Sequence, residues 1–374
     1  MIETPLFEIC RPKQWKTISS KDLSEHGYPV YGANGIIGFH SEYNHEKPTI
    51  LITCRGATCG TINVSVPFSY INGNAMALDD LDENKAYIDY ISYYLKYRGL
   101  VDVISGSAQP QITREGLQSV KIPLPPLAEQ RRIASILDQA DELRQKRQQA
   151  IEKLDQLLQA TFIDMFGDPV SNPKGWDLVN LESLLAKKLI SGAYFPKETY
   201  VNSGGVPMVH MGDVFYGVVK PDNLKQVNIS SEEIEKYKIT NKDILIARRS
   251  LTYDGAAKAC LVECSNQDMI FESSLIRLSP NLVKILPEFL YHYLNNNDVR
   301  NKFIIPYITK STISGINQAN LNKVTVLLPP LAKQEKFIEI CDKFKQLGKT
   351  LTQDLSKLDE LFKSLQNQAF NGSL

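Results

Sequence analysis

The sequence predicts an α+β protein in which two mixed, strand-rich globular domains are separated by two long repeated helices, packed as an antiparallel coiled coil with pseudo-twofold symmetry. Three observations predict this fold class: a seven-residue motif that occurs twice, a helix-forming run after each copy, and a strand-rich segment before each copy. Two copies of one structural unit present similar surfaces twice. We therefore expect the object that the protein recognises to have two halves.

The repeat has one fixed offset. Residues 124–130 read LPPLAEQ and residues 328–334 read LPPLAKQ, 204 residues later. The offset also relates positions upstream and downstream of the motif, whereas the segments before the two copies differ strongly. This pattern predicts a first domain over 1–121, a helical region over 122–167, a second domain over 168–325 and a second helical region over 326–374.

Composition limits the classes of protein to consider. The 374 residues are 43% hydrophobic, which is enough for about two to three domains with real cores. We find no signal-peptide pattern, no apolar run long enough for a bilayer and no dense cysteine framework among six cysteines, so we expect a soluble, cytoplasmic protein without disulfides. The net charge of zero argues against a protein that binds nucleic acid without a partner.

Each Pro-Pro pair ends an extended segment and is followed by a run of about 40 helix-forming residues. At a rise of 1.5 Å per residue such a helix is roughly 60 Å long, more than a compact domain needs, so we interpret the pair as a spacer with one domain at each end. An ordinary helical hairpin inside one core is the alternative. Apolar spacings of three and four predict a heptad seam in both runs: Ile133, Ile136, Ala140, Leu143, Arg147, Ala150, Leu154, Leu157 and Thr161, then Phe337, Ile340, Phe344, Leu347, Leu351, Asp354, Leu358, Leu361 and Leu365.

Both variable segments contain similar landmarks. Residues 50–55 (ILITCR) and 244–249 (ILIARR) are short apolar strands that end in arginine, which is well placed to reach outward. The loops 105–111 (SGSAQPQ) and 309–315 (TKSTISG) offer amides and hydroxyls, groups that suit base edges and phosphates. Ordinary solvated turns are the alternative for any one of them.

The sequence offers little support for an enzyme. It lacks the Asn/Asp-Pro-Pro-Tyr/Phe motif of amino-methyltransferases, and residues 348–350 (GKT) follow a lysine at the position where a phosphate-binding loop needs glycine. His40, His45, Cys54 and Cys59 contain no Cys-x-x-Cys knuckle, which favours core cysteines and surface histidines over a zinc site. A stand-alone nuclease or methyltransferase with a cryptic site remains the alternative, with a coiled-coil adaptor behind it.

Over nearly its full length the chain resembles the specificity subunit of type I restriction-modification systems. The resemblance is carried by residues 28–38 (YPVYGANGIIG), by residues 244–250, by residues 173–176 (PKGW) and by both LPPLAxQ motifs with the helix after each. The duplicated motif and helix are its specific part.

The resemblance implies a non-catalytic DNA reader. Two target recognition domains would each read one half of a bipartite, asymmetric site in double-stranded DNA through the major groove. The repeated helices would act as a ruler and bind two methyltransferase subunits, one per repeat, and restriction subunits would then join. No cofactor would be bound by this chain, since S-adenosylmethionine, ATP and magnesium are expected on the partner subunits.

Carried over to this sequence, the resemblance places the ruler at residues 127–166 and 331–370. The candidate DNA-contacting residues are Tyr31, Asn34, Arg55, Gln109, Gln111, Arg248, Arg249 and Lys310. The candidate residues for methyltransferase docking and for the spacer are Leu127, Gln130, Ile133, Leu143, Leu154, Leu331, Gln334, Leu347 and Leu358.

Overall fold

The chain contains two compact units, each with one strand-rich domain and half of each long helix. Unit 1 comprises Met1–Ala150 and Leu351–Leu374, and unit 2 comprises Ile151–Thr350. The computed structural model describes residues 3–33, 35–106, 109–215, 217–263, 265–310 and 312–374. The predicted fold class, two strand-rich domains with two long helices, is confirmed.

Unit 1 is built on short sheets that are antiparallel except for the parallel pairing of β3 with β7. Its main sheet has the order β2-β8-β5-β6, a second sheet has the order β4-β3-β7, and β1 pairs with β9. The β1–β9 pair closes the domain, and the predicted boundary at residue 121 falls on the first residue of β9. The strands are β1 (Glu3–Pro5), β2 (Arg11–Gln14), β3 (Tyr28–Gly32), β4 (Gly35–His40), β5 (Ile50–Thr53), β6 (Ile62–Val64), β7 (Tyr70–Ile71), β8 (Ala75–Asp79) and β9 (Lys121–Pro123).

Unit 2 follows a related plan. Its sheets have the orders β11-β20-β16-β18-β14 and β12-β15-β13-β19, β10 pairs with β22 and β17 pairs with β21. The fully buried β16 occupies the place that β5 has in unit 1. The strands are β10 (Asp177–Asn180), β11 (Ile190–Ser191), β12 (Tyr200–Val201), β13 (Val206–Val209), β14 (Val218–Val219), β15 (Lys225–Val227), β16 (Ile244–Ala247), β17 (Arg249–Ser250), β18 (Ala259–Val262), β19 (Ile270–Phe271), β20 (Leu275–Leu278), β21 (Ser314–Gly315) and β22 (Thr325–Leu328).

The two long helices have the predicted positions. Each begins directly after Pro-Pro, and each is followed by a glycine in the left-handed conformation, Gly167 at φ 81° and Gly372 at φ 82°, which ends the helix. The second long helix is one residue longer than predicted. The helices are α1 (Ile88–Arg98), α2 (Leu127–Phe166), α3 (Ser231–Tyr237), α4 (Pro287–Asn295), α5 (Asn297–Val299), α6 (Gln318–Asn322) and α7 (Leu331–Asn371).

Both long helices contribute to the cores of the domains. In unit 1, Leu137 of α2 and Phe370 of α7 belong to the same buried cluster as β5. In unit 2, Phe162 of α2 and Phe337 of α7 pack edge to face with ring centroids 5.5 Å apart, beside Phe289 of α4. A helix that shares its domain's core holds that domain in a fixed orientation to the helix axis.

Within unit 1 the two helices pair antiparallel through charged side chains. Arg144 lies 2.6 Å from Asp359, and Arg147 lies 3.7 Å from Asp354, so partner numbers fall along α7 as they rise along α2. The Arg144 guanidinium also lies over the Phe362 ring, 4.6 Å from its centroid. These contacts confirm antiparallel packing of the helices inside this unit.

The predicted seam is wrong at four leucines. Leu143, Leu157, Leu347 and Leu361 are 54%, 50%, 46% and 50% exposed. The next residues along, such as Leu158 and Phe362, face the cores instead. The contact face of unit 1 includes ion-paired Arg144 and Asp359, which a purely apolar pattern leaves out.

Candidate nucleic-acid interface

In unit 1, three chain segments meet beyond the end of β5. Arg55 forms a β-bridge with Gln111, which forms another with Ser105. The Ser105 and Gln111 amides each donate to the other's carbonyl at 2.8 Å. We call the surface formed by Arg55, Ser105, Gln109 and Gln111 the ladder edge of unit 1. The side chains of Arg55, Gln109 and Gln111 are exposed there, so the structure brings together three predicted DNA-contacting residues.

In unit 2, three chain segments meet in the same way beyond β16. Arg249 pairs with Gly315, and Gly315 forms a bridge with Thr309. The Thr309 amide donates to the Gly315 carbonyl at 2.9 Å, and the Gly315 amide donates to the Thr309 carbonyl at 3.2 Å. We call the surface formed by Arg249, Thr309, Lys310 and Gly315 the ladder edge of unit 2.

The two ladder edges share their backbone connections and differ in their side chains. Ser105 and Gln111 correspond to Thr309 and Gly315 at the 204-residue offset of the repeat. A Cβ atom at Gly315 would lie only 2.8 Å from the Arg248 carbonyl oxygen, so the glycine allows close packing that the glutamine of unit 1 does not need. One scaffold thus displays two different sets of hydrogen-bonding groups.

The ladder edge of unit 2 carries exposed positive charge. Arg249 and Lys310 have exposed side chains, and the Lys310 ammonium lies over the Tyr253 ring, 4.6 Å from its centroid. Arg248 is half-buried, and its guanidinium donates to the Ser273 carbonyl at 3.4 Å. Arg249 and Lys310 are therefore available to a phosphate or a base edge, whereas Arg248 also supports the backbone of its own domain.

The predicted contact residue Tyr31 lies in β3 and is buried. Tyr31 is only 6% exposed, and its hydroxyl oxygen accepts from the Val66 amide at 3.2 Å, so its ring serves the core. Asn34 lies outside the described residues. The Ala33 carbonyl accepts from the Thr53 hydroxyl, which places Ala33 beside the last residue of β5.

Gln130 and Gln334, predicted to serve in partner docking and in the spacer, are fully buried inside their own units. The Gln130 carbonyl accepts from the Tyr87 amide at 2.8 Å, and its amide donates to the carbonyls of Lys85 at 2.7 Å and Pro125 at 2.9 Å. Because every polar atom of the side chain is satisfied inside unit 1, nothing is left for a partner. The residue instead joins the start of α2 to the start of α1.

Gln334 repeats this arrangement in unit 2. Its carbonyl accepts from the Leu286 amide at 2.9 Å, and its amide donates to Lys284 at 3.1 Å and Pro329 at 2.8 Å. Ile133, predicted in the same docking and spacer group, is also buried, in the core of unit 1. We call each glutamine with its three backbone partners a glutamine joint.

The other predicted docking residues divide by exposure. Leu143 and Leu347 are exposed, and Leu157 and Leu361, which had been assigned to the seam, are exposed as well. In unit 1, Leu143 and Leu361 lie next to or near the Arg144–Asp359 ion pair. The remaining predicted docking residues are half-buried: Leu127, Leu154, Leu331 and Leu358.

His45 and Asp79 form the arrangement most like a catalytic pair, and their side-chain atoms already have partners within the protein. His45 Nε2 lies 2.9 Å from Asp79 Oδ1, and His45 Nδ1 lies 2.7 Å from Asn44 Oδ1. The Trp15 indole donates to Asp79 Oδ2 at 3.0 Å. Both ring nitrogens already face protein oxygens, so His45 is poorly placed as a general base. Burial raises the pKa of the Cys54 thiol to about 11, which keeps it protonated and a weak nucleophile.

No group of three or more His, Cys, Asp or Glu side chains with metal-binding geometry occurs in the described part of the chain. No helix among the described residues is both long and apolar enough to cross a lipid bilayer.

Sequence reasoning missed two exposed apolar residues near the ladder edge of unit 2. Leu251 directly follows β17, and Ile313 directly precedes β21. Tyr194 is also exposed, and the Ser273 amide donates to the carbonyl of its neighbour Ala193 at 2.8 Å. The only signal in the sequence was the position of Leu251 after the Arg-Arg-Ser segment, and hydropathy alone assigns such a residue to a core.

Comparison with protein families gives one match that covers most of the chain. The family described as "Type I restriction modification DNA specificity domain" matches residues 4–153 and 173–360. The two matched segments correspond to the two halves of the internal repeat.

Individual relatives are distant. The chain is 24% identical over 359 residues to the putative type I restriction enzyme specificity subunit S.HindORF215P of Haemophilus influenzae, covering 87% of this chain and 82% of that protein. It is 25% identical over 319 residues to the type I restriction enzyme EcoKI specificity subunit of Escherichia coli K12, covering 78% of this chain and 67% of that protein.

Solved structures support the fold. The crystal structure of a type I restriction-modification S subunit from M. genitalium aligns over 99% of this chain and 96% of that one, with a TM-score of 0.61 and 15% identity. A chain from a structural study of complex assembly and conformational transition in the type I system aligns over 100% of this chain and 98% of that one, with a TM-score of 0.59 and 18% identity.

Proposed function

Since this chain belongs to the family of type I restriction-modification DNA specificity subunits, we propose that each of its two units reads one half of a bipartite, asymmetric DNA site. The family supplies sequence specificity and is not catalytic, so the chain is a DNA specificity subunit and not an enzyme. The observation that supports one half-site per unit is the duplicated ladder edge. The same position of the repeat is Gln111 in the ladder edge of unit 1 and Gly315 in that of unit 2, so we expect two unlike half-sites.

The chemistry of the ladder edges suits the major groove. Arginine pairs with guanine through two hydrogen bonds, and glutamine pairs with adenine in the same way. Arg55, Gln109 and Gln111 would supply such contacts in unit 1, and Arg249 with Lys310 would supply them in unit 2. Tyr31 is left out of this proposal because its ring is buried.

As a specificity subunit, the chain associates with DNA and with modification and restriction subunits. We further propose that two methyltransferase subunits dock on it, one on each of two leucine pairs. Leu143 and Leu361 form the pair of unit 1, and Leu347 and Leu157 form the pair of unit 2. The 204-residue offset relates the two pairs residue by residue. The two leucines of a pair would together form an apolar patch on a polar helix surface, and such patches mark interaction sites where a single exposed leucine does not.

The docking proposal predicts that replacing both leucines of one pair by aspartate removes one methyltransferase subunit. A complex with Leu143→Asp and Leu361→Asp should carry one subunit where the native complex carries two, because charge at the centre of an interface opposes its desolvation. Native mass spectrometry measures the stoichiometry. The matched control is Gln149→Asp with Gln353→Asp, which adds the same charge at exposed positions of the same helices. An unchanged complex would contradict the assignment.

No cofactor is proposed for this chain. S-adenosylmethionine, ATP and magnesium would belong to the partner subunits, and the assembly would work in the cytoplasm. The purified chain, incubated alone with DNA and S-adenosylmethionine, is expected neither to methylate nor to cleave it. Product formed without partners would favour the alternative of a stand-alone enzyme.

The direct test of the function is a map of modified bases in the genome with and without this gene. One bipartite motif is expected to lose its methyladenine when the gene is removed, and that motif gives both half-sites. If no motif changed, the proposed reading of DNA would lose its support.

A further inference from the structure

The ladder edge of unit 2 ends in an apolar tip that the ladder edge of unit 1 lacks. Leu251 is 85% exposed, which makes it the most exposed large hydrophobic side chain among the described residues, and Ile313 is 49% exposed. Arg249 pairs with Gly315 and Ser250 with Ser314, so the antiparallel register brings Leu251 and Ile313 to the same end of the ribbon. We call these two side chains the apolar tip.

The tip is held by a braced turn. The Thr252 amide donates to Ser250 Oγ at 3.2 Å, and the Gly255 amide donates to the Thr252 carbonyl at 3.2 Å. Buried Arg300 donates to the carbonyls of Asp254 at 3.0 Å, Ala256 at 2.8 Å and Ala257 at 3.1 Å. A side chain displayed by such a turn loses little further freedom when it binds.

A single exposed leucine is ordinary on a protein surface and needs no explanation. This one differs because a second aliphatic side chain stands at the same end of the ribbon and because cations flank both. Arg249 lies two residues before Leu251, and Lys310 lies three residues before Ile313, both with exposed side chains. A partner for this surface must combine negative charge with a small apolar feature.

Double-stranded DNA has both properties in its major groove. The groove admits a two-stranded ribbon, its rims are phosphates, and the thymine C5-methyl group is its apolar feature. We propose that Leu251 and Ile313 contact thymine methyl groups in the half-site of unit 2, while Arg249 and Lys310 bind phosphates or guanine beside them. This assignment rests on the proposed function of the chain.

Unit 1 provides an internal comparison. Continuing its ladder beyond Arg55 and Gln111, the Gly56 amide donates to the Pro110 carbonyl at 3.2 Å, and the next residues are Ala57 and Gln109. A small residue and an amide thus stand where unit 2 has two aliphatic side chains. Unit 1 is therefore expected to distinguish bases at this position by hydrogen bonds and unit 2 by apolar contact.

The test replaces each thymine of a DNA duplex in turn by deoxyuridine, which lacks only the C5-methyl group. The full chain in complex with its methyltransferase subunits is used, and binding is measured on the site identified from the methylation map. In the half-site of unit 2, loss of a contacted methyl group should weaken binding about fourfold. The variant Leu251→Ala with Ile313→Ala should bind the thymine duplex more weakly than the native complex and should no longer respond to deoxyuridine.

The control variant is Val283→Ala. Val283 is an exposed aliphatic residue that follows Leu278, the last residue of β20, and so lies beyond the opposite end of that strand from Leu275. This variant should keep the native response to deoxyuridine. Equal binding of the thymine duplex by the native and double-variant complexes would overturn the proposal. The proposal would also fail if the substitutions weakened binding by the same factor on the thymine and the deoxyuridine duplex, as expected for side chains that wedge between bases. A complex that binds no specific sequence would overturn the proposed function as well, which separates the two failures.

Discussion

At the scale of single residues, Arg249 is the side chain whose removal should most directly affect DNA recognition. Its side chain is exposed at the ladder edge of unit 2, next to the buried end of β16. If it reads a guanine, Arg249→Ala should weaken site-specific binding of the complex by about 1–3 kcal/mol. Competition binding with specific and non-specific duplexes measures this change.

The matched control for this prediction is Lys242→Ala. Lys242 is exposed two residues before β16, whereas Arg249 follows that strand. The substitution therefore removes a positive charge at the opposite end of the same strand. If both variants lost the same affinity, the effect would come from net charge and not from reading of a base.

The glutamine joints give a second prediction at this scale. Gln130→Met keeps the shape of the side chain but removes its hydrogen bonds to three part-buried backbone groups, those of residues 85, 87 and 125. Each unsatisfied buried group costs about 1–3 kcal/mol, and partial relaxation will recover some of this, so we expect a loss of about 2–4 kcal/mol in the stability of unit 1. Urea denaturation of the purified chain measures it.

Gln139→Met is the control for the joint, because Gln139 lies on the same helix with its side chain exposed. It should change the free energy of unfolding by less than about 0.5 kcal/mol. Similar losses for both variants would mean that the effect belongs to the helix and not to the joint.

At the scale of the elements, Gly348 is an interior glycine of α7 with room for a side chain. A Cβ atom built there would contact only Leu154 Cδ1, at 3.6 Å, an ordinary van der Waals distance. Gly348→Ala should therefore stabilise the chain by about 0.5–1 kcal/mol, because glycine is the poorer helix former. A rise in the thermal unfolding temperature would show this.

Gly372→Ala provides the contrast. Gly372 ends α7 at φ 82°, a conformation that alanine adopts only with strain, so its substitution should destabilise the chain. A loss of stability in Gly348→Ala would mean that Leu154 cannot give way, and that the helices pack more tightly than the distance indicates.

The elements that sequence predicted well are those with a strong local signal. Pro-Pro, the helix formers that follow and the terminal glycines determine α2 and α7 almost to the residue. The orientation of the helices was harder to predict, because Leu143 and Leu361 fit a heptad pattern yet lie outside the contact face. Tertiary ion pairs such as Arg144–Asp359 carry no periodic apolar signal, so hydropathy could not locate that face.

The candidate site shows the same limit. The strand ends at Arg55 and Arg249 and the loops 105–111 and 309–315 were found from sequence, and the structure brings each pair together. Tyr31 shares the pattern of a loop residue but is buried, and Leu251 shares the pattern of a core residue but is exposed. Which way a short-loop side chain points depends on distant contacts, such as the clamp that Arg300 makes on residues 254–257.

At the scale of the whole molecule, the two units should be separable in what they recognise. Replacing the first domain by that of another specificity subunit should change one half-site of the methylated motif and leave the other unchanged, since the ladder edges lie in different units. Mapping of methylated bases in cells that carry the exchanged gene measures both half-sites together.

The structure refines the position of this exchange. The predicted boundary at residue 121 would divide β9 (Lys121–Pro123), which pairs with β1, so the exchange should extend through residue 123. An exchange that ends at residue 120 serves as a control and should give a less stable protein. Changes in both half-sites would contradict the modular arrangement.

The glutamine joints also have a consequence for how such proteins diverge. All three partners of Gln130, and all three partners of Gln334, are backbone atoms. The joint therefore does not depend on the side chains at the partner positions. The residue whose amide donates to the glutamine is Tyr87 in unit 1 and Leu286 in unit 2. At the joint itself, a gene segment that encodes a different domain can recombine next to the same helix if its main chain passes through the same positions, and the side-chain requirements are then confined to the core residues that pack on the helices, such as Leu137 and Phe337.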